Sequence, residues 1–464
     1  MLIKKLEKKV NNHSSKFFTE HIEEKVVSLS CEKITDFPEY LSALLKIRKA
    51  AAAANEKLQL IEHSVAQNII NACSRVEENI RTNGLSHYPV LRFIGKPAHR
   101  AIDEEIAKHL ESADPNTAKA ISINQYTVDV TGTAEAAAVH MCLANLAKAL
   151  KVVSAEINKK GAEFSDVVKC GRLGLKDALP VRMGDEFRMY AAAIDNIIQE
   201  LEEEKAYWTF NLLGLSDQGL GVGVHPEFKE TVAQFLEKEV GYPVRTLAGH
   251  EEMLFQQRYL IAHAKVKAAS TLLWKAARSL TLLASGPRAG IRELVLPAVA
   301  PGSSIMPGKI NPTVSELMMN ICDKVYANDS GMSIGIHSGW LGTGSPSSLP
   351  LKTFINSCQL LSDASYVFKE KVLSGITVNK ERCRSQAARS LAFETLVSSL
   401  VGEAKADEIL QIALKEDLTL EAASALVELT DRQKVSLKMA FDLDLISTPD
   451  GVSQLMRNAY SSQV

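Results

Sequence analysis

The sequence has little of what several common classes of protein require. It carries no excess of charge, since 53 Lys and Arg stand against 55 Asp and Glu, a formal net charge of −2. No basic excess indicates nucleic acid, and no polybasic run indicates a membrane surface. No apolar run approaches the about 20 residues of a membrane span, because the longest candidate, residues 268–285, is interrupted by Trp274, Lys275 and Arg278. We therefore expect neither a nucleic-acid partner nor a membrane.

The spacing of the cysteines gives no sign of a metal site or of disulfide crosslinks. The seven cysteines are scattered singly, at Cys31, Cys73, Cys142, Cys170, Cys322, Cys358 and Cys383. No CxxC or Cys/His ligand spacing appears, so neither a zinc site nor a disulfide framework is indicated. The odd count favours reduced thiols. The Lys-rich residues 1–10 lack the apolar region of a signal peptide. These features predict a cytoplasmic protein without a bound metal.

What the sequence does have is helical periodicity over most of its 464 residues, of which 46% are hydrophobic. Strand signals are few, and there are no internal repeats. The predicted helices cover residues 38–60, 131–161, 184–208, 226–240, 248–285, 313–330 and 347–374. Such lengths exceed those of ordinary globular helices and favour a long bundle. The sequence therefore predicts an all-α fold.

One segment concentrates chemical groups between these helices. Residues 302–312 read Gly-Ser-Ser-Ile-Met-Pro-Gly-Lys-Ile-Asn-Pro, so that two hydroxyls, a cation and an amide lie just before a helical pattern. A purely structural interpretation is a turn that leads into a helix, with Thr313 and Glu316 as a capping box. The alternative is a loop that binds an anion, because backbone N–H groups at a helix N-terminus and a lysine favour negative charge.

This eleven-residue string resembles the signature loop of the aspartase/fumarase superfamily, whose members eliminate ammonia, water or an amine from substituted succinates. The resemblance implies that Ser303 is the general base. The carbanion becomes an aci-carboxylate, and fixed donors aimed at that charge stabilise it, a task for Lys309 and Asn311. Since the carboxylate itself accepts the electrons, no cofactor is needed. Ser304 is a further candidate substrate-binding residue, with Met306 and Glu316 in support.

The resemblance extends over nearly the whole chain, from about residue 33. Its other matching segments are Pro38–Val76, Gly171-Arg172 with Asp177-Ala178, Gly219–Gly223 with His225-Pro226-Glu227-Phe228, and Ser374-Gly375-Ile376. It implies a helical N-terminal domain (1–120), a central long-helix bundle with the signature loop (121–374) and a small helical C-terminal domain (375–464). It also implies a homotetramer with sites shared between subunits.

Three segments depart from the family pattern. The first, Arg92–Arg100, lacks the usual Thr-Gly-Ser-Gly-Thr run, and its Arg92, Lys96, His99 and Arg100 either hold a different anion or form a solvated basic loop. In the second, Gln125-Tyr126-Thr127-Val128-Asp129, Gln125 and Thr127 remain candidate substrate-binding residues, while Tyr126 and Val128 replace a small hydroxyl and an amide. In the third, Leu173-Gly174 replaces Thr-His, so the partner that the family provides for Glu316 is missing.

These observations predict a carbon–nitrogen lyase that acts by β-elimination, or by the reverse addition, on a small-molecule carboxylate other than plain aspartate or malate. Two alternatives stay open. One is a fumarate hydratase-like carbon–oxygen lyase. The other is a catalytically inactive paralogue with a scaffold or regulatory role, which the missing histidine favours and the retained loop opposes.

Overall fold

The computed structural model describes residues 37–84, 98–111, 115–216, 219–249, 256–300, 302, 305–306, 308–337 and 349–460. Most of these residues are helical, which confirms the predicted all-α class. The helices of the first part of the chain are Pro38–Lys57, His63–Asn83, Ala98–Lys108, Pro115–Ala120, Thr127–Glu163, Met183–Tyr207 and Phe228–Val240. Those that follow are Arg258–Leu283, Thr313–Ile336, Leu349–Lys371, Lys380–Ala388, Glu394–Val401, Glu403–Glu416, Leu420–Ser424, Asp431–Ala440, Leu443–Ile446 and Pro449–Tyr460.

The long helices explain why the periodicity was so evident in the sequence. Thr127–Glu163 runs for 37 residues, about 55 Å at 1.5 Å per residue. It begins earlier and ends later than predicted. By length and composition it could cross a membrane, but 67% of its apolar window is buried, as in the core helix of a bundle. Arg258–Leu283, with 26 residues, is shorter than the predicted span 248–285.

Three two-stranded pairs accompany the helices. They are Val168–Leu173 with Lys176–Arg182, Phe210–Asn211 with Arg245–Thr246, and Leu294–Val295 with Thr377–Val378. The first is a hairpin in the gap between the predicted helices 131–161 and 184–208. Gly171 and Pro180 make this hairpin hard to recognise in the sequence, because glycine and proline weaken a strand pattern. Gly171 is required here, since a Cβ at this position would lie 2.4 Å from the carbonyl oxygen of Leu179.

The chain divides into two compact units. The first comprises residues 1–145, 201–264 and 327–359, and the second residues 146–200, 265–326 and 360–464. In the first unit, helix Pro38–Lys57 packs against His63–Asn83 and Phe228–Val240. In the second, the hairpin packs against Lys380–Ala388. A buried cluster between Ala387 and Leu455 forms the core of the last helices. The three-domain division at residues 120 and 374 stays a prediction.

Candidate active site

The signature loop folds back on itself. The backbone N–H of Lys309 donates to the carbonyl oxygen of Met306 at 3.1 Å. A Cβ on Gly302 would lie 2.8 Å from the carbonyl oxygen of Lys309. Gly302 therefore lies directly against the far end of the loop, and only a glycine fits there. The predicted base Ser303 and its neighbour Ser304 lie outside the described residues.

The chemical groups at the end of the loop are exposed within the single chain. Lys309, Asn311 and Glu316 are all exposed, as are the apolar side chains of Ile305 (86%) and Met306 (51%). Asn311 comes just before helix Thr313–Ile336, whose N-terminus carries the positive end of the helix dipole. Lys309, Asn311 and this helix N-terminus thus provide a cation, an amide donor and a partial positive charge that can bind an anion.

The capping box predicted for this helix is absent. Thr313 is already its first residue rather than its cap, and the Thr313 hydroxyl donates to the carbonyl oxygen of Asn311 at 3.5 Å. The backbone N–H of Glu316 donates to Pro312 at 3.0 Å. The Glu316 carboxylate is therefore not needed for capping, and its supporting role in the site stays a prediction.

Gln125 lies in the first unit, where its amide is held by the protein itself. Its Nε2 donates to the carbonyl oxygens of Ile121 at 2.8 Å and Ile123 at 3.2 Å. Its Oε1 accepts from the guanidinium of Arg48. Both polar atoms thus have partners, which fix the loop that leads to Thr127. Direct contact between Gln125 and substrate stays a prediction.

Arg48 is the centre of a buried polar network that the sequence analysis missed. Its side chain is 1% exposed, and it forms a two-pronged ion pair with Asp103, at 2.7 and 3.0 Å. Burial raises the pKa of Asp103, while the neighbouring guanidinium lowers it. No spacing signal could have joined Arg48, Asp103 and Gln125, since they belong to different helices and turns up to 77 residues apart.

Thr127 is the first residue of the longest helix, and its hydroxyl faces a histidine. The distance from Thr127 Oγ1 to His99 Nε2 is 3.4 Å. His99 is 4% exposed, and its Nδ1 has no hydrogen-bond partner among the described residues. Burial, followed by the charges of Arg48 and Arg100, lowers the pKa of His99 to about 4. The ring is therefore neutral at pH 7. Arg92 and Lys96 of the basic segment lie outside the described residues. His99 and Arg100 belong to helix Ala98–Lys108 rather than to a loop, with Arg100 exposed and His99 buried.

The structure explains the departure at Tyr126 and the role of Asp129 beside it. The Tyr126 hydroxyl donates to the carbonyl oxygen of Val222 at 2.8 Å, so this side chain turns to the Gly-rich turn near residue 222. Asp129 is fully buried and accepts from the backbone N–H groups of Gly214 and Ser216, at 3.2 and 3.1 Å. Both residues shape the loops around Thr127.

The third segment forms the tip of the hairpin in the second unit. Gly174 and Leu175 have φ of +57° and +63°, as in the type I′ turn that joins two antiparallel strands. Leu173 is 79% exposed and Leu175 67%. Arg172 pairs with the buried Glu293 at 2.8 Å and therefore anchors the hairpin. The tip offers apolar side chains where the family carries Thr-His.

Two other histidines have structural roles. His225 Nδ1 accepts from the backbone N–H of Glu227 at 3.2 Å, at the start of helix Phe228–Val240. His140 is a satisfied core residue, since its Nδ1 lies 3.1 Å from the carbonyl oxygen of Lys205 and its ring stacks on Tyr242 at 3.8 Å between centroids.

A third histidine completes a Ser–His–Asp series in which the serine and the histidine are buried. His263 lies 2.9 Å from Asp329 and 3.0 Å from Ser357 Oγ. The Ser357 hydroxyl donates to Thr353 on the same helix, and it accepts from Asn328. Because its proton is committed to a carbonyl oxygen and the hydroxyl is fully buried, this serine serves packing rather than nucleophilic attack.

Comparison with known proteins identifies the family. A family model described as lyase matches residues 6–327, more than half of the chain. The class II fumarate hydratase of Nitrosomonas europaea is 33% identical over 400 residues, which are 83% of this chain and 86% of that protein. The chain belongs to the aspartase/fumarase superfamily of lyases. The match begins at residue 6, earlier than the start predicted near residue 33.

Further superfamily relatives agree in sequence and in fold. The aspartate ammonia-lyase of Escherichia coli is 29% identical over 394 residues, 82% of each chain. A crystal structure of fumarate lyase:delta crystallin from Brucella melitensis bound to cobalt has a TM-score of 0.84 and 29% identity, and covers 91% of this chain and 93% of that one. A class II fumarase from Schistosoma mansoni, 22% identical, shares the fold with a TM-score of 0.80.

Proposed function

We propose that this superfamily lyase eliminates ammonia or an amine from an aspartate-like or other carboxylate substrate, or catalyses the reverse addition. Ser303 removes the proton next to a carboxylate, and the charge delocalises into that carboxylate. Lys309 and Asn311 stabilise the resulting aci-carboxylate. The observation that carries the proposal is the complete signature loop, closed by Gly302 against the backbone of Lys309 and leading directly into a helix N-terminus.

The other residues of the site have lesser parts in this proposal. Ser304 contacts substrate, Gln125 and Thr127 belong to the second substrate segment, and Met306 and Glu316 support the loop. The exposure of Ile305 and Met306 in a single chain supports an assembly in which a partner chain covers the loop. We therefore propose a cytoplasmic homotetramer with sites shared between subunits.

The positions that differ from the family pattern limit which substrates the protein can bind. Leu173 and Gly174 form an apolar hairpin tip, and the Tyr126 hydroxyl is turned to Val222. Each lost donor to a charged group costs about 1.5–3 kcal/mol of binding. A substrate with an apolar or bulkier group in place of the polar group that would need these donors avoids the loss of binding energy. We therefore propose that neither aspartate nor malate is the physiological substrate.

A second candidate function is a hydratase-like carbon–oxygen lyase, which the 33% identity to a class II fumarate hydratase favours. The inactive alternative, with a scaffold or regulatory role, rests on Leu173 and Gly174 in place of Thr-His. A screen of the purified protein separates the three. Fumarate and related enoates are offered with ammonia, with amines and with water alone. Addition of ammonia or an amine supports our proposal, and addition of water supports the hydratase-like candidate. If no combination of enoate and nucleophile gives a product, the inactive alternative is supported.

A further inference from the structure

A cavity of about 240 Å³ lies beneath the hairpin at residues 168–182. The turn of the hairpin forms one wall, through Leu175. Helix Met183–Tyr207 contributes Phe187 to a second wall, and helix Arg258–Leu283 contributes Ala276 to a third. All the lining residues belong to the second compact unit. A concave space of this kind, with mostly apolar walls, is typical of sites that bind small molecules.

The charged side chains beside the cavity are paired with one another. Lys169 donates to both carboxylate oxygens of Glu186, at 2.9 and 3.1 Å. Arg172 donates to both carboxylate oxygens of Glu293, at 2.8 and 3.0 Å. These two cations and two carboxylates carry no net charge together. Because an ion that is buried without a partner is costly, the cavity favours an uncharged group.

The other polar side chains of the lining are also paired. The hydroxyl oxygens of Tyr190 and Ser279 lie 2.8 Å apart and form a hydrogen bond. The remaining lining side chains are apolar, among them Phe187 and Leu280. A bound water needs two to four polar partners, so these walls hold water poorly. An apolar occupant would instead gain dispersion contacts with them.

The size of the cavity limits the size of its occupant. An apolar cavity of about 150 Å³ is known to stay dry and to bind benzene. The cavity beneath the hairpin, at about 240 Å³, therefore has room for a group somewhat larger than one benzene ring. Leu175 and Met189 line it and are also 67% and 57% exposed, so that one side is open to solvent in the single chain.

We infer that this cavity binds an uncharged aromatic molecule of one or two fused rings. The molecule packs against Leu280 and against the ring of Phe187, since aromatic pairs add to the free energy of apolar burial. Leu175 covers it from the hairpin turn. Because the same turn carries Leu173 and Gly174, the bound molecule holds the third segment in one position.

Indole, an uncharged two-ring compound, is the probe for this site. Its dissociation constant is measured by calorimetry at pH 7 on the full-length protein, and we expect about 1 mM or less. Indole-3-carboxylate adds a negative charge and should bind at least about tenfold more weakly. If the carboxylate binds as well as indole or better, the site recognises an anion and the inference is wrong.

A substitution inside the cavity tests where indole binds. Ala276 is buried, and Ala276→Leu fills part of the cavity, so it should weaken indole binding by at least about tenfold. Ala404, exposed on helix Glu403–Glu416, is the matched control, and Ala404→Leu should bind indole as wild type does. Circular dichroism and assembly mass check that each variant is folded. Equal binding by Ala276→Leu and wild type, or no binding by wild type, overturns the inference.

Hydrogen exchange locates the site without a substitution. The wild-type protein is compared with and without excess indole, and its peptides are analysed by mass spectrometry. We expect slower exchange in residues 168–182 and 276–283 and unchanged exchange in residues 403–440. If Ala276→Leu does not fold, this measurement decides, and the absence of protection in residues 168–182 overturns the inference. Neither experiment uses enzyme activity, so the outcome is independent of the proposed lyase reaction.

Discussion

At the residue scale, the position of Gly302 explains how a loop of small residues keeps a defined geometry. Its Cα lies so close to the carbonyl oxygen of Lys309 that no side chain fits between them. Gly302 and Lys309, which come before and after the proposed base in the sequence, thus lie against each other. In an elimination, the base and the cation must both be positioned around one substrate, so we expect this closure to matter for catalysis.

We predict that Gly302→Ala lowers kcat by about 10² or more, since a displacement of 1 Å in an active site can have that effect. The added methyl group must move the backbone of Lys309. Gly308 provides the comparison, because its φ is +83° and a Cβ there would meet no atom of the described residues within 4 Å. Gly308→Asn should lose much less, since asparagine tolerates this conformation. Steady-state kinetics with the substrate found by the screen decides. Equal losses in both variants would contradict the closure.

The signature loop could be recognised from the sequence, whereas the buried polar network of the first unit could not. Residues 302–312 are contiguous, so the motif could be read directly. Arg48 and His99 could not be found in this way, since each has its role only through contacts with residues from other helices. The burial of His99 was also hidden, because it adjoins cations that suggest a solvated loop.

At the element scale, the buried pair of Arg48 and Asp103 joins helices Pro38–Lys57 and Ala98–Lys108. We predict that Arg48→Met lowers the free energy of unfolding by about 3–5 kcal/mol, because it leaves a buried carboxylate without its cation. The double variant Arg48→Met/Asp103→Leu should recover most of this loss. Arg81, in an exposed pair with Glu78, is the control, and Arg81→Met should leave the urea midpoint unchanged. A double variant no more stable than Arg48→Met would contradict the argument.

A second element-scale prediction concerns Glu135 within helix Thr127–Glu163. Burial raises the pKa of Glu135 from 4.5 to about 7, although the hydroxyl of Tyr259, at 3.3 Å, lowers it. The folded protein thus holds this proton more tightly than the unfolded chain, and the ionised carboxylate destabilises the fold. The cost is absent below about pH 4.5, grows as the pH rises to about 7, and is constant above it.

Glu135→Gln should therefore stabilise the protein by an amount that grows between about pH 4.5 and 7. The measurement is chemical denaturation at several pH values, with the exposed Glu237→Gln as the matched control. A stability difference that does not change with pH, or that shrinks as the pH rises, would show that Glu135 is ionised in the folded protein throughout this range.

Helices with a long hydrophobic periodicity could be predicted from the sequence. Seven helices were found from periodicity. Most of their ends shifted by a few residues, since a cap such as Glu227 before Phe228, which makes no side-chain cap hydrogen bond, carries a weak local signal. The helix predicted to start at residue 248 begins only at Arg258. The hairpin at residues 168–182 was missed, since its turn uses Leu175 at positive φ, a conformation that leucine rarely adopts. Tertiary packing against helix Lys380–Ala388 outweighs that preference.

At the scale of the whole molecule, the superfamily fold is retained while the substrate segments have changed. We predict that the protein is slower than ordinary aspartases and fumarases on aspartate and malate by at least about 10³-fold. Two lost donors at about 1.5–3 kcal/mol each already amount to about two to four powers of ten. Steady-state assays at the fumarate absorbance, beside the aspartate ammonia-lyase of Escherichia coli, provide the comparison. Ordinary rates would mean that residues outside these segments supply the missing donors.

The central claim is that the signature loop performs an elimination with Ser303 as the base. The most direct measurement is the enoate and amine screen on wild type and Ser303→Ala, with products identified by mass spectrometry. We predict that wild type joins an amine to a dicarboxylic enoate. Ser303→Ala should have the same assembly mass and circular dichroism as wild type, because the substitution removes no volume from the core. Its rate should be at least about 10³-fold lower than that of wild type, because it lacks the base. A wild type that yields no product, or a Ser303→Ala variant that keeps most of the activity, would contradict the account.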